Sequence, residues 1–339
     1  MFGRSTGFPL EFHDYARSLP AVKPVRRAVI DVGTNSIKLL VAEIDGPEVR
    51  PLLEQSKQTR LGQGFYPAYV LQPDPIAQTT LAIKDFAAKA AELGAGRPQV
   101  IATSAVRDAL NQQELISAVE QGCGLAVRVL SGEQEAAYGF KGVTSDARLA
   151  LEALLLLDVG GGSTEFILGC RKEMHFAQSF QIGTVRLLEQ LRPGDPPTGK
   201  QLTVCRDWLR SFLETEVSPR LGPVLRRESG HRSPAEELLL VGAGGTASIL
   251  GCMEIQLTSF DRDRLEAARL SRERLRWHVE NLWRLPGAER RKLSGLPPNR
   301  ADVILTGTAI YEAVMNHFGF SELRISTRGL RFGILLQES

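Results

Sequence analysis

The stretch that decides the fold is LLLLDVGGGSTE, Leu154 to Glu165: an apolar run, an acid, three glycines, two hydroxyls and a second acid. The leucines read as a buried strand, the glycines as a tight turn, and Glu165 to Gly169 as the returning strand. A related stretch, AVIDVGTNSIKLL, occupies Ala28 to Leu40. There Val25–Ile30 and Ile37–Ile44 read as two strands around a Gly-Thr-Asn-Ser turn. The same strand, acid, glycine turn and strand thus occur twice.

Each copy opens an α/β unit. After the first, Val49–Lys57 reads as a strand. A helix starts with Asp74 at its N-cap and Pro75 in its first turn, and stops at Gly94. Val100–Thr103 and Leu125–Leu130 are two more strands. After the second copy, helices are predicted at Val185–Leu191, Lys200–Val217, Arg272–Leu285 and Arg300–His317. Leu238–Val241 reads as a central strand running into GAGGTAS, and Leu323–Ile325 as the last. The pattern predicts an N-terminal extension over 1–24, one α/β domain over 25–140 and a duplicate over 141–339, with a cleft between them and the C-terminal end packing back on the first.

At 339 residues the chain can bury two ordinary cores. Its 43% apolar and 24% charged residues exclude wholesale disorder, and a net charge of +2 gives no general case for nucleic acid. From Arg262 to Arg300, eleven Lys/Arg stand against five Asp/Glu, which suits either a solvated helical face or a track for a polyanion. Cys123, Cys170, Cys205 and Cys252 lie far apart, without C-x-x-C pairs, and the histidines do not cluster. That spacing predicts neither zinc nor a disulfide framework, and a cytoplasmic location. No apolar run approaches the roughly 18 residues of a membrane span, and no signal peptide is evident.

A glycine turn between buried strands lets backbone N–H groups converge on an anion, because no Cβ blocks the approach. Gly160, Gly161, Gly162 and Ser163 form one such turn, flanked by Asp158 and Glu165. Gly33, Thr34, Asn35 and Ser36 form the other, after Asp31. Gly244, Gly245 and Thr246 make a third glycine-rich loop. Carboxylates beside a phosphate cradle commonly hold Mg²⁺ through waters, so the set predicts phosphoryl binding. In VLSGEQEAAYG, Ser131 and Gln134 fit a capping box, with Glu133 and Glu135 in the first turn. Two roles are open for Glu135: a helix-dipole partner worth roughly 0.3–1 kcal/mol, or a general base that relies on position, because the helix N-terminus lowers its pKa. Arg107 either clamps phosphate oxygens or pairs with Asp108 or another acid.

In order along the chain, DVGTNS, RLGQG, ATSAVRDALN, LSGEQEA, DVGGGSTE, QIGTVRL, GAGGTAS, RADVILTG and RGLRFG resemble the exopolyphosphatase/guanosine pentaphosphate phosphohydrolase (Ppx/GppA) family, from about Val25 to Leu336. The resemblance implies two ribonuclease-H-like domains of the actin-like ATPase type. It implies hydrolysis of the terminal phosphoanhydride of inorganic polyphosphate or of pppGpp, a ppGpp-binding sensor being the non-catalytic rival and a kinase or ATPase the catalytic one. Glu135 and Arg107 would be catalytic, and Asp158, Glu165 and Asp31 metal-associated. The three glycine loops would bind phosphate, with Mg²⁺ and a monovalent cation such as K⁺ as cofactors. A homodimer belongs to the same expectation. Gln134 departs from the family's paired glutamates. Thr327, Arg328 and Phe332 replace or displace acids near the end, and the length matches the short, two-domain members.

Overall fold

A computed structural model of the chain describes residues 24–231 and 237–337; residues 1–23 of the expected extension lie outside them. The first sheet contains β1 (Val25–Val32), β2 (Ser36–Asp45), β3 (Glu48–Gln58), β4 (Gln99–Ala102) and β5 (Val127–Val129), in the order β3-β2-β1-β4-β5. The first three are antiparallel neighbours, whereas β4 and β5 run parallel to β1. The second sheet contains β6 (Leu154–Val159), β7 (Thr164–Cys170), β8 (Glu173–Phe180), β9 (Leu239–Ala243), β10 (Arg269–Ser271) and β11 (Glu322–Ile325), in the order β10-β11-β9-β6-β7-β8. Without the edge strand β10, the two sheets have the same order and the same strand senses. The repeated hairpins are therefore the opening strands of two copies of one α/β unit.

Helices α1 (Pro73–Glu92), α2 (Ser104–Asp108) and α3 (Gln112–Cys123) belong to the first unit, and α4 (Gly132–Val143) leads out of it. In the second lie α5 (Thr184–Leu191), α6 (Gly199–Phe212), α7 (Ser218–His231), α8 (Gly244–Glu254), α9 (Arg262–Ala267), α10 (Arg272–Arg284), α11 (Gly287–Arg290), α12 (Ile304–Phe318) and α13 (Leu330–Leu335). Among the boundaries that differ from the sequence pattern, three concern how helices begin or continue. Asp74 is not an N-cap: α1 starts at Pro73, with no side-chain cap. Pro73 and Pro75 lack N–H groups, so fewer orphan donors need one. The helix expected to end at Val217 continues through a π turn, Leu213–Val217, into α7. Pro219 has no N–H to lose where the ladder shifts. Before α12, Pro298–Arg300 is a 3₁₀ turn.

The units exchange helices. α4 follows β5 but buries Ala136, Phe140 and Val143 against Leu154, Leu156 and Ile167 of the second sheet. α13 follows β11 but buries Phe332 and Ile334 against Val29, Leu40 and Ile101 of the first. The two cross at glycines: a Cβ on Gly333 would lie 1.9 Å from the Tyr138 oxygen, and one on Gly142 2.0 Å from that of Gly329. Residue 140 thus falls inside a crossing helix, not in a linker. Between the sheets, on the side where β1, β4, β6 and β9 end, opens a cleft of about 550 Å³.

Candidate active site

The two turns have one backbone geometry. Gly33 donates its N–H to the Ser36 carbonyl at 3.1 Å, and Gly160 to that of Ser163 at 3.0 Å. Their tips meet. A Cβ at Gly161 would lie 2.8 Å from Thr34 Cβ, and one at Gly162 2.4 Å from Ser104 Oγ. Both glycines are therefore required by packing of the second turn against the first unit, whatever the turn binds. Gly244 has a left-handed φ of +78°, and a Cβ there would lie 2.2 Å from Asp158 Oδ1. Thr246 Oγ1 donates to the Val159 carbonyl at 3.1 Å. All fifteen residues from the three loops, the flanking acids and Glu135 line the cleft; Arg107 does not.

Glu135 stands in the first turn of α4, behind a complete capping box. Gln134 accepts the Ser131 N–H at 3.0 Å, so the departure from paired glutamates is a capping group. Arg107, from α2, donates through Nη1 to Glu135 Oε2 at 2.8 Å and to the Leu130 carbonyl at 3.1 Å, while its separation from Asp108 is 3.9 Å. Arg107 thus holds the Glu135 carboxylate from outside the cleft. Burial pushes the Glu135 carboxyl up to about 7 against the pull of Arg107, and Asp158 and Asp31 push the same way. Desolvation thus outweighs Arg107, and Glu135 is more basic than an ordinary carboxylate.

Glu165 is 2% exposed. Its Oε1 accepts from Ser179 Oγ at 2.7 Å and Ser163 Oγ at 2.9 Å. Burial first, then Glu135 and Asp158, hold this carboxyl well above the usual range. Burial also raises Asp31 and Asp158, an effect opposed by Lys38 and Arg331.

Several of these partners escape sequence reasoning because they come from distant elements. Arg331 donates to the Leu39 carbonyl at 2.9 Å and to Glu54 at 3.1 Å, and Arg262 pairs with the same Glu54. Thr327 donates to Glu266, so one of the terminal departures serves a contact inside the second unit. Arg186, in QIGTVRL, donates to the Gly162 carbonyl at 2.8 Å and to Asp108 at 3.0 Å, tying the second turn to the first unit. Several cations of the basic stretch serve contacts within the fold: Arg272 donates to the Phe320 carbonyl, Arg274 to Glu254 and Arg290 to the Ala301 carbonyl, while Arg300 lines the cleft.

Asn35 Nδ2 and Ser36 Oγ are buried without a hydrogen-bond partner at the cleft wall, as an anion-binding turn requires. Among the described residues no three acid, histidine or cysteine side chains form a cation cage. Magnesium needs none, since it keeps waters and binds through one or two carboxylates and substrate phosphates. The residues present fit that mode.

A duplicated α/β fold closing two acid-flanked glycine turns around a buried carboxyl defines an enzyme of phosphoryl chemistry. The family model for Ppx/GppA phosphatases matches residues 40–339. Exopolyphosphatase 2 of Mycobacterium tuberculosis is 30% identical over 325 residues, covering 92% of this chain and 98% of that one. The Ppx/GppA family member of Aquifex aeolicus is 28% identical with a TM-score of 0.73, over 92% of this chain and 96% of its own. An exopolyphosphatase from Cytophaga hutchinsonii is 26% identical with a TM-score of 0.78, over 91% and 96%. The chain belongs to the Ppx/GppA phosphatase family, with its actin-like two-domain fold and hydrolase activity. No helix among the described residues is long and apolar enough to cross a membrane, and all four cysteines are free.

Proposed function

We propose that this protein is a Mg²⁺-dependent cytoplasmic exophosphatase that hydrolyses the terminal phosphoanhydride of inorganic polyphosphate and releases orthophosphate. The observation that carries the proposal is Glu135, a buried carboxyl near pKa 7, fixed by Arg107 beside two anion-binding turns. The relatives named above as exopolyphosphatases support the choice of substrate. Backbone N–H groups of both turns, with Asn35 Nδ2 and Ser36 Oγ, receive the phosphate oxygens. Glu135 accepts the proton of the attacking water, and Lys38 and Arg331 offset the negative charge that gathers between the acids. When bound, Mg²⁺ would supply charge neutralisation at the phosphates, held by one or two of the carboxylates of Asp31, Asp158 and Glu165. K⁺ as a second cation and a homodimer belong to the same proposal.

One observation favours a second reading. Ile249 and Phe260, the latter 60% exposed, line the same cleft and offer an apolar wall for a purine base. That suits pppGpp. Phosphate release with Mg²⁺ from long-chain polyphosphate and from pppGpp, with Glu135→Gln as control, separates the readings. Release from polyphosphate, abolished by the substitution, supports the proposal. Release from pppGpp alone transfers the activity to that substrate, and silence on both overturns hydrolysis.

A further inference from the structure

We infer that Ser104 contacts the substrate, its hydroxyl donating to a non-bridging oxygen of the terminal phosphoryl group. The inference rests on the phosphohydrolase reading above and adds a residue to it. Ser104 is the first residue of α2, directly after β4 and Thr103. The residue is 3% exposed, it lines the cleft together with Glu135 and Gly162, and its Oγ is buried without a hydrogen-bond partner. A buried hydroxyl left unpaired is unfavourable, and such a group in a native protein calls for an occupant.

Three hydroxyls around the second turn are already engaged: those of Ser163 and Ser179 serve Glu165, and that of Thr246 serves the Val159 carbonyl. Ser36 Oγ on the first turn and Tyr66 Oη beside Gly162 are, like Ser104 Oγ, without a partner. Ser104 is not so used, although it stands where the second turn is barest: the missing Gly162 side chain is what leaves room for its Oγ. Three residues along the same short helix, Arg107 holds Glu135. One element therefore sets both the base and this donor. The choice of a hydroxyl also has a chemical reason. A lysine or arginine here would depress Glu135 and weaken it as a base, whereas a neutral donor binds an anionic oxygen without that effect.

The test compares Ser104→Ala with wild type in steady-state hydrolysis of tripolyphosphate. It also compares Glu135→Gln with the Ser104→Ala/Glu135→Gln double variant in thermal shift, where the ligand survives. Loss of a hydrogen bond to a charged oxygen predicts kcat/KM lower by about 10- to 100-fold. The unliganded Tm should be unchanged or higher, because an unpaired hydroxyl is removed. The Tm rise caused by tripolyphosphate should shrink in the double variant, and the acid limb of the pH–rate profile should stay in place. Unchanged kcat/KM and an unchanged ligand-induced shift overturn the inference while leaving the hydrolase reading intact. A displaced acid limb or a lower unliganded Tm also overturns it, by showing that Ser104 acts through α2. A wild type that releases no phosphate, with a Glu135→Gln protein that gains no Tm, defeats the hydrolase reading itself.

Discussion

The two hairpins share a backbone and differ in charge. Across β1 and β2, Asp31 pairs in register with Lys38; across β6 and β7, Asp158 pairs with Glu165. The turns diverge in the same sense. The first carries Thr34 and Asn35 where the second carries Gly161 and Gly162. The exchanged helices extend the contrast, since α13 brings Arg331 to the first sheet and α4 brings Glu135 to the second. Duplication therefore built one cradle twice, and substitution made one wall cationic with side-chain donors and the other acidic with bare backbone. An anion held between them meets a counter-charge on one side and a base on the other.

The contrast breaks most severely at Glu135. Glu135→Gln keeps the shape and the first turn of α4 but removes the proton acceptor, so kcat should fall by about 10²- to 10⁴-fold. KM should change little, because the turns are untouched. A variant that retains more than a tenth of wild-type kcat would exclude Glu135 as the base.

Lys38→Glu would convert the first wall into a copy of the second. Losing one charge-assisted contact and adding repulsion should lower kcat/KM by on the order of 10- to 100-fold. The effect should grow at low ionic strength, where the added charge is less screened. Should the loss be equal for Lys38→Met and Lys38→Glu at every salt concentration, the side chain acts through packing and the electrostatic contrast fails.

The tips give a smaller and purely structural effect. Gly161→Ala pushes a methyl against Thr34 Cβ and should destabilise the protein by about 1–3 kcal/mol in urea unfolding. Thr34→Gly on the same chain should restore part of that loss as a coupling energy. Gly245→Ala is the control, since nothing lies within 4 Å of the added carbon. Strict additivity of the first pair would show that the hairpins do not bear on each other.

What the sequence reveals of this arrangement follows a physical rule. The hairpins are legible because a strand buried by both sheet and helices is continuously apolar, and its break at Asp31 or Asp158 is abrupt. The β8 strand, EMHFAQSF, is half-exposed and lacks a regular apolar–polar alternation, so its strand character and the role of Ser179 are hidden. Lys38, Arg331 and Ser104 are ordinary residues in sequence: the β1–β2 register sets Lys38 beside Asp31, the end of β4 delivers Ser104, and the crossing of α13 brings Arg331. Arg107 is recognisable as a site residue, but its partner, Glu135, is set by the fold.

The smallest expected effect tests the acidic wall without substrate. In the metal-free protein Glu135 titrates near 7 against an ordinary value of 4.5, and Glu165 is raised in the same direction. Between those values the folded state binds more protons than the unfolded state, so stability falls as pH rises from about 4.5 through 7. Tm measured in EDTA should therefore decline by a few degrees between pH 5 and pH 8. Glu135→Gln should flatten the decline, and added Mg²⁺ should offset it at pH 8 by binding the folded state alone. Asp31 of the first wall is raised as well and adds to the decline, while Lys38 and Arg331 oppose that shift. Lys38→Met should accordingly steepen the decline, since a wall that loses its cation begins to behave like its copy.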